Sequence, residues 1–153
     1  MDYINNLRKY IGHKPLLMVG ATVLILDSEN RLLMLKRSDN GAWGVPGGAM
    51  ELGETFEDAA QRETLEETGL EVGEMTLFGV FSGPELYYRY PNGDEVYNAA
   101  VVYLTRDVCG EIKLNDGEHT KFQYFDLSKL PEQISPPIVP ILKKLQQSFY
   151  GEV

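Results

Sequence analysis

The sequence is poor in cysteine, histidine and cations: of 153 residues one is cysteine, two are histidine, and 14 Lys and Arg face 23 Asp and Glu. The lone Cys109 excludes an internal disulfide and a cysteine-rich zinc site, so nothing calls for an oxidising compartment and the expected location is cytoplasmic. No apolar run approaches the roughly 20 residues that a membrane-spanning helix needs, and no membrane partner is expected. The opening Met1-Asp2-Tyr3-Ile4-Asn5-Asn6 has neither a basic segment nor a long apolar one, so no secretion signal is expected. A formal net charge of −9 repels phosphate polyanions at long range and argues against general nucleic-acid binding. A phosphate-bearing substrate would need a positive group brought from elsewhere, and a metal ion is the obvious one.

What is present is an ordinary globular composition, 43% hydrophobic and 24% charged. The length suits one domain with a real core, expected to cover 1–153. Tyr3, Ile4, Leu7, Tyr10 and Ile11 recur at helical spacing and predict a short amphipathic helix over 3–11, ended by Gly12. Residues 15–26, the turn Asp27-Ser28-Glu29-Asn30 and residues 31–36 read as a β-hairpin. The stretch Gly41 to Gly48 is too rich in glycine for one regular element, so its backbone must take an unusual course. Strands are predicted over 74–82, 87–90 and 96–104, the last two joined by a turn at Pro91-Asn92-Gly93-Asp94, with a short strand over 122–125. A C-terminal helix is expected over 138–149, after Pro136-Pro137. Strands around one central helix, flanked by terminal helices, give a mixed α/β or α+β layered domain.

The central helix is bounded by its own residues. Thr55 with Asp58 forms a capping box at its start, and Gly69 stands where a left-handed C-terminal residue is needed. At 100° per residue, Glu63 and Glu67 continue the stripe of Phe56, Ala59 and Ala60, with Glu66 at its edge. Carboxylates aimed toward the protein repel one another unless a cation neutralises them, and the i, i+3, i+4 set offers three to one hard ion such as Mg²⁺ or Mn²⁺. The competing reading is a solvated charged face, with Arg62 and Glu66 as a surface pair. The glycine-rich loop directly before the helix favours the metal, because Gly47 and Gly48 let backbone approach an ion or a phosphate closely.

Gly48, five residues, Glu54, seven residues, then Arg62-Glu63-Thr64-Leu65-Glu66-Glu67-Thr68-Gly69-Leu70 resembles the signature of the Nudix hydrolase family, also called MutT-like. All seven fixed letters are present across 23 residues with both gaps intact. Thr64 departs from the pattern, standing where an aliphatic residue is more common. Trp43 to Gly48 resembles the family's lead-in, and Glu118 to Leu127 with Leu130-Pro131 its distal segment, so the resemblance runs over about residues 15–145. It implies an α/β/α sandwich with a mixed sheet and the signature helix packed inside.

The resemblance also implies roles. Glu63, Glu66, Glu67 and the Gly47 carbonyl would ligate Mg²⁺ or Mn²⁺, with Glu54 as an auxiliary or supporting group and Arg62 holding the loop to the helix. The reaction implied is attack of water on phosphorus in a nucleoside diphosphate linked to another group. Glu63 and Glu118 are both candidates for the base, and Glu118 is a further candidate ligand. His119, beside it, is read as an exposed loop residue.

Substrate is less legible. Tyr88 and Tyr90 share one face of a strand and offer stacking to a base, although core packing accounts for at least one of them equally well. Arg37 is a candidate phosphate contact, set against the ordinary reading of a solvated strand-end cation. Pro84 and Tyr87 lie near positions that sort family subgroups, and neither decides. ADP-ribose-like compounds, nucleoside triphosphates including oxidised ones, and capped RNA remain open as substrates. So do a catalytically silent nucleotide-sensing domain and a protein-interaction domain. The N-terminal helix would cover either its own domain or a second copy in a homodimer.

Overall fold

The computed structural model describes residues 2–151. Helix α1 (Tyr3–Ile11) begins with Asp2 accepting a hydrogen bond from the Asn5 N–H, and Gly12 ends it at φ 62°. The extended segments are β1 (Leu16–Ile25), β2 (Arg31–Arg37), β3 (Trp43–Gly44) and β4 (Gly47–Ala49). Helix α2 (Phe56–Thr68) follows, then β5 (Glu71–Val72), β6 (Thr76–Phe81), β7 (Tyr87–Arg89), β8 (Glu95–Thr105), β9 (Val108–Cys109) and β10 (His119–Asp126), and finally α3 (Val139–Tyr150). The predicted α1, the turn at 91–94 between β7 and β8, and α3 to within a residue are all present.

The main sheet is mixed. Long central strands β1 and β8 run parallel over ten paired positions, with β4 antiparallel on the outer edge of β1 and both β6 and β7 antiparallel to β8. A second sheet has the order β10-β2-β3. The predicted hairpin of the first two strands is therefore corrected. Beyond the 27–30 turn only Leu26 and Leu32 form a bridge, and the strands then part into different sheets. Local turn chemistry brought them back, but both are apolar on two faces, and each is buried more fully between a sheet neighbour and a helix.

Period-two alternation sorts the core into two layers. Leu24, Leu26, Leu32, Met34, Ala100 and Val102 face α3, meeting Ile141, Leu142 and Leu145. Ala21, Val23, Ile25, Leu33, Val101 and Tyr103 face α2, meeting Ala59 and Ala60. The sheets thus lie between α2 and α3, as the α/β/α expectation requires. Helix α1 has no buried residue and holds to its own chain by polar links: the Tyr3 N–H to Glu51 at 2.9 Å, and Arg8 to the Glu95 carbonyl at 2.8 Å.

Candidate active site and metal centre

Helix α2 delivers the acidic residues because its ends are fixed as predicted. Thr55 accepts from the Asp58 N–H, Asp58 accepts from the Thr55 N–H, and Gly69 closes the helix at φ 78°. Ala59, Ala60 and Thr64 are fully buried and Glu67 is 6% exposed, while Glu66 lies at the exposed edge. Phe56 is the exception to the predicted stripe. It is exposed, because it sits in the first turn before the helix reaches the sheet.

Strand β4 brings glycine up to that face. A Cβ at Gly48 would stand 2.5 Å from the Glu63 carboxyl carbon, and one at Gly47 would stand 2.6 Å from the Ala21 carbonyl. Backbone blocks a side chain at Gly47, and one at Gly48 would displace the Glu63 carboxylate. The Gly47 N–H is then free to donate to Glu67 Oε1 at 2.8 Å.

One end of the acidic face carries its own cation. Arg62 donates to Glu54 at 2.6 and 2.9 Å, to Glu63 at 2.9 Å, to Glu66 at 3.3 Å and to the Ala49 carbonyl at 3.1 Å. Glu54 also accepts from the Glu51 N–H at 2.7 Å, so both its oxygens are engaged. Arg62 holds the Glu54 carboxyl below its ordinary range. The same contacts raise the Arg62 guanidinium further still.

The other end is less neutralised. Burial raises Glu67 well above the ordinary carboxylate range, with Glu63, Glu118 and Asp116 adding repulsion and only the Gly47 N–H opposing. Burial also raises Glu63, against the pull of Arg62. The loop before β10 closes over this end. Ser38, just past β2, binds it through the Glu118 carbonyl at 2.8 Å, and His119 pairs with Arg37. That register brings Asp116, Glu118 and His119 to Glu67, with one ligating atom of each within 4.8 Å of all the others.

The reading of His119 as an exposed loop residue is corrected: its side chain is 7% exposed, held between Asp116 and Glu67. Sequence reasoning passed over Asp116 and His119 because about fifty residues separate them from the helix; the only local signal was their i, i+3 spacing around Glu118.

Arg37, Tyr88 and Tyr90 also converge. Tyr88 and Tyr90 meet edge to face with centroids 4.8 Å apart, and the Arg37 guanidinium carbon lies 5.5 Å from the Tyr90 centroid. Arg37 pairs with Asp39 at 2.6 Å and is only 28% exposed, so it is not a freely solvated strand end. These three line a cavity of about 150 Å³ together with Met18, Leu86 and Asn98. A cleft of about 810 Å³ is lined by Glu63, Glu66, Glu67, Asp116 and Glu118. Arg37, Tyr90, Gly47 and Glu67 line both spaces, so the aromatic slot opens onto the carboxylates. Tyr87 points away from this slot, packing on Tyr97 at 5.1 Å, and Trp43 packs into the core on Phe125 at 5.0 Å.

The donor set fits a hard divalent cation: several buried or half-buried carboxylate oxygens, a raised Glu67, and no Lys or Arg bonded to Glu67 among the described residues. The chain is similar to several named proteins. An ADP-ribose pyrophosphatase from Methanocaldococcus jannaschii is 37% identical over 111 residues, 71% of this chain and 62% of that protein. A putative 8-oxo-dGTP diphosphatase from Bacillus subtilis is 41% identical over 66 residues, 43% of this chain and 44% of that protein. The chain thus spans less than two thirds of either relative. The crystal structure of a MutT NUDIX hydrolase from Burkholderia pseudomallei matches with a TM-score of 0.71 at 29% identity, covering 86% of this chain and 98% of that one. A model of the NUDIX domain matches residues 16–145, a span that runs through every strand and the helix that build this cleft, and the chain belongs to that family.

Proposed function

We propose that the protein is a pyrophosphohydrolase that cleaves a phosphoanhydride bond in a nucleoside diphosphate linked to another group, by attack of water on phosphorus. The observation that carries this reading is the continuity between the Tyr88–Tyr90 slot and the Glu67 cluster across Arg37 and Gly47. A base seated in the slot leaves its phosphates at the carboxylates. The relatives named as acting on ADP-ribose and on an oxidised nucleoside triphosphate support the substrate class.

Each residue has work that its surroundings suit. Tyr88 and Tyr90 stack the base, and Arg37, already held by Asp39, faces the first phosphate. Glu63, Glu66, Glu67 and the Gly47 carbonyl, with Glu118 from the loop, would hold Mg²⁺ or Mn²⁺. The bound ion supplies neutralisation of the phosphate oxygens and a more acidic water. Glu54 serves as a brace for Arg62, since Arg62 and the Glu51 N–H take up its oxygens, and Arg62 in turn fixes Glu63 and Glu66. Either Glu63 or Glu118 takes the water's proton. Arg62 holds one Glu63 oxygen, whereas the Glu118 carboxylate has no hydrogen bond among the described residues and is free to follow the water.

The test is a phosphate-release screen across ADP-ribose, nucleotide sugars, nucleoside triphosphates and dinucleoside polyphosphates. Turnover that needs Mg²⁺ or Mn²⁺ and is lost in Glu66→Gln is expected. Full activity in excess chelator, or in that variant, overturns the reading.

A further inference from the structure

Where the loop before β10 meets the signature helix, three side chains stand in the order Asp116, His119, Glu67. Asp116 Oδ2 lies 3.1 Å from His119 Nδ1, and His119 Nε2 lies 3.6 Å from Glu67 Oε2. The side chains of His119 and Glu67 are 7% and 8% exposed. At 3.6 Å the second pair is too long for a hydrogen bond, and neither of those two atoms has another hydrogen-bond partner among the described residues.

A carboxylate on Nδ1 sets the tautomer: the proton resides on Nδ1, and Nε2 keeps a bare lone pair. That lone pair faces Glu67 Oε2 with no protein donor between them among the described residues, a pairing that a cation bridging the two atoms would satisfy. Ligand atoms about 2.1 Å from a shared ion stand roughly 3.0–4.2 Å apart, and the Nε2 to Oε2 separation falls inside that window. Metal-bound histidine characteristically donates its other ring N–H to a carboxylate, which fixes the ring and raises its basicity. Asp116 stands in that relation to His119. The loop is positioned for it by Ser38, whose hydroxyl donates to the Gly117 and Glu118 carbonyls at 3.0 Å.

We propose that His119 is a nitrogen ligand to the divalent cation, with Asp116 as its orienting partner, so that the site prefers Mn²⁺ or another nitrogen-accepting ion to Mg²⁺. This rests on the metal-dependent reading above. Carboxylates alone suit Mg²⁺, Ca²⁺ and Mn²⁺, whereas an imidazole favours ions later in the first row. Mn²⁺ accepts both donor types. His119 enters from β10 and Glu67 from α2, so the ion would also fasten the distal loop to the signature helix.

The test uses the full chain, stripped of metal and without nucleotide. Mn²⁺ and Mg²⁺ are titrated separately by calorimetry, and the Mn²⁺-loaded protein is examined by electron spin-echo spectroscopy for coupling to an imidazole nitrogen. Nitrogen coupling is expected in the wild type and absent in His119→Gln. That variant should lose about ten-fold or more in Mn²⁺ affinity while Mg²⁺ affinity changes much less. Asp116→Asn, which alters no proposed ligand, should keep the coupling and weaken Mn²⁺ by a smaller factor, and it serves if His119→Gln fails to fold. Mn²⁺ bound without nitrogen coupling, or an unchanged Mn²⁺ to Mg²⁺ preference in His119→Gln, overturns this inference and leaves the hydrolase reading standing. Binding of neither ion overturns both.

Discussion

Two clusters of carboxylates meet along α2, and the protein treats them oppositely. Around Arg62, the carboxylates of Glu54, Glu63 and Glu66 share a built-in cation, each through a direct ion pair. Around Glu67, the facing groups are Asp116, Glu118 and an imidazole, and among the described residues Glu67 itself accepts from one backbone N–H, that of Gly47. The first arrangement carries its own counter-charge as folded, while Glu63 and Glu66 still line the cleft. The second holds negative charge that folding alone does not neutralise, and burial raises Glu67 accordingly. A cluster left short of positive charge beside a neutralised one is the pattern on which the proposed metal site rests.

The sharpest way to break this contrast is to neutralise one member of each cluster. Glu67→Gln should lower kcat by about a thousandfold, since several kcal/mol of charge stabilisation would go with the ion it helps to hold. Steady-state kinetics at saturating Mn²⁺ checks this, and a loss below ten-fold would place Glu67 among the merely structural carboxylates. Arg62→Ala should instead show first in folding, by about 3 kcal/mol in urea denaturation, because three carboxylates lose their shared partner.

The substrate side of the comparison is smaller. Tyr90→Leu should raise KM about ten-fold with little change in kcat, as stacking on a base contributes roughly 1–3 kcal/mol. An equal fall in kcat would assign Tyr90 to the packing of the slot rather than to the base.

The pH dependence of the metal-free protein has a definite sign. Glu67 has a folded pKa above its unfolded value, so its contribution is fully present below the ordinary carboxylate range and is lost as pH rises through the raised folded value. Metal-free stability should fall across that window, and Glu67→Gln should flatten the curve. The least effect is expected at Thr64, fully buried with its hydroxyl unpartnered among the described residues. Thr64→Val should raise stability by about 1 kcal/mol, restoring the aliphatic residue that the signature more often carries.

Much of this was legible before any coordinates. Thr55 and Gly69 bounded α2, and counting 100° per residue then put Glu63, Glu66 and Glu67 together, because a helix turns local spacing into direction. Phe56 escaped the same count because periodicity does not say where a helix first meets its sheet. The parting of β1 and β2 was not legible, since the turn at 27–30 reports its own geometry and not the partners that each strand finds further on. Asp116 and His119 were hidden for a related reason. Their approach to Glu67 depends on the pairing of β10 with β2, a long-range register that no local pattern encodes. Tyr88 and Tyr90 were placed on one face by alternation, but only the fold set Arg37 against them.

The central claim is that the Glu67 cluster is completed by a divalent cation, and thermal melting of the metal-free protein with added Mg²⁺ or Mn²⁺ tests it most directly. The account predicts a midpoint that climbs with ion concentration in the wild type, equivalent to about 2.7 kcal/mol at a hundred times Kd, and a much smaller rise in Glu67→Gln. A wild-type midpoint indifferent to both ions, or an equal rise in the variant, would contradict it.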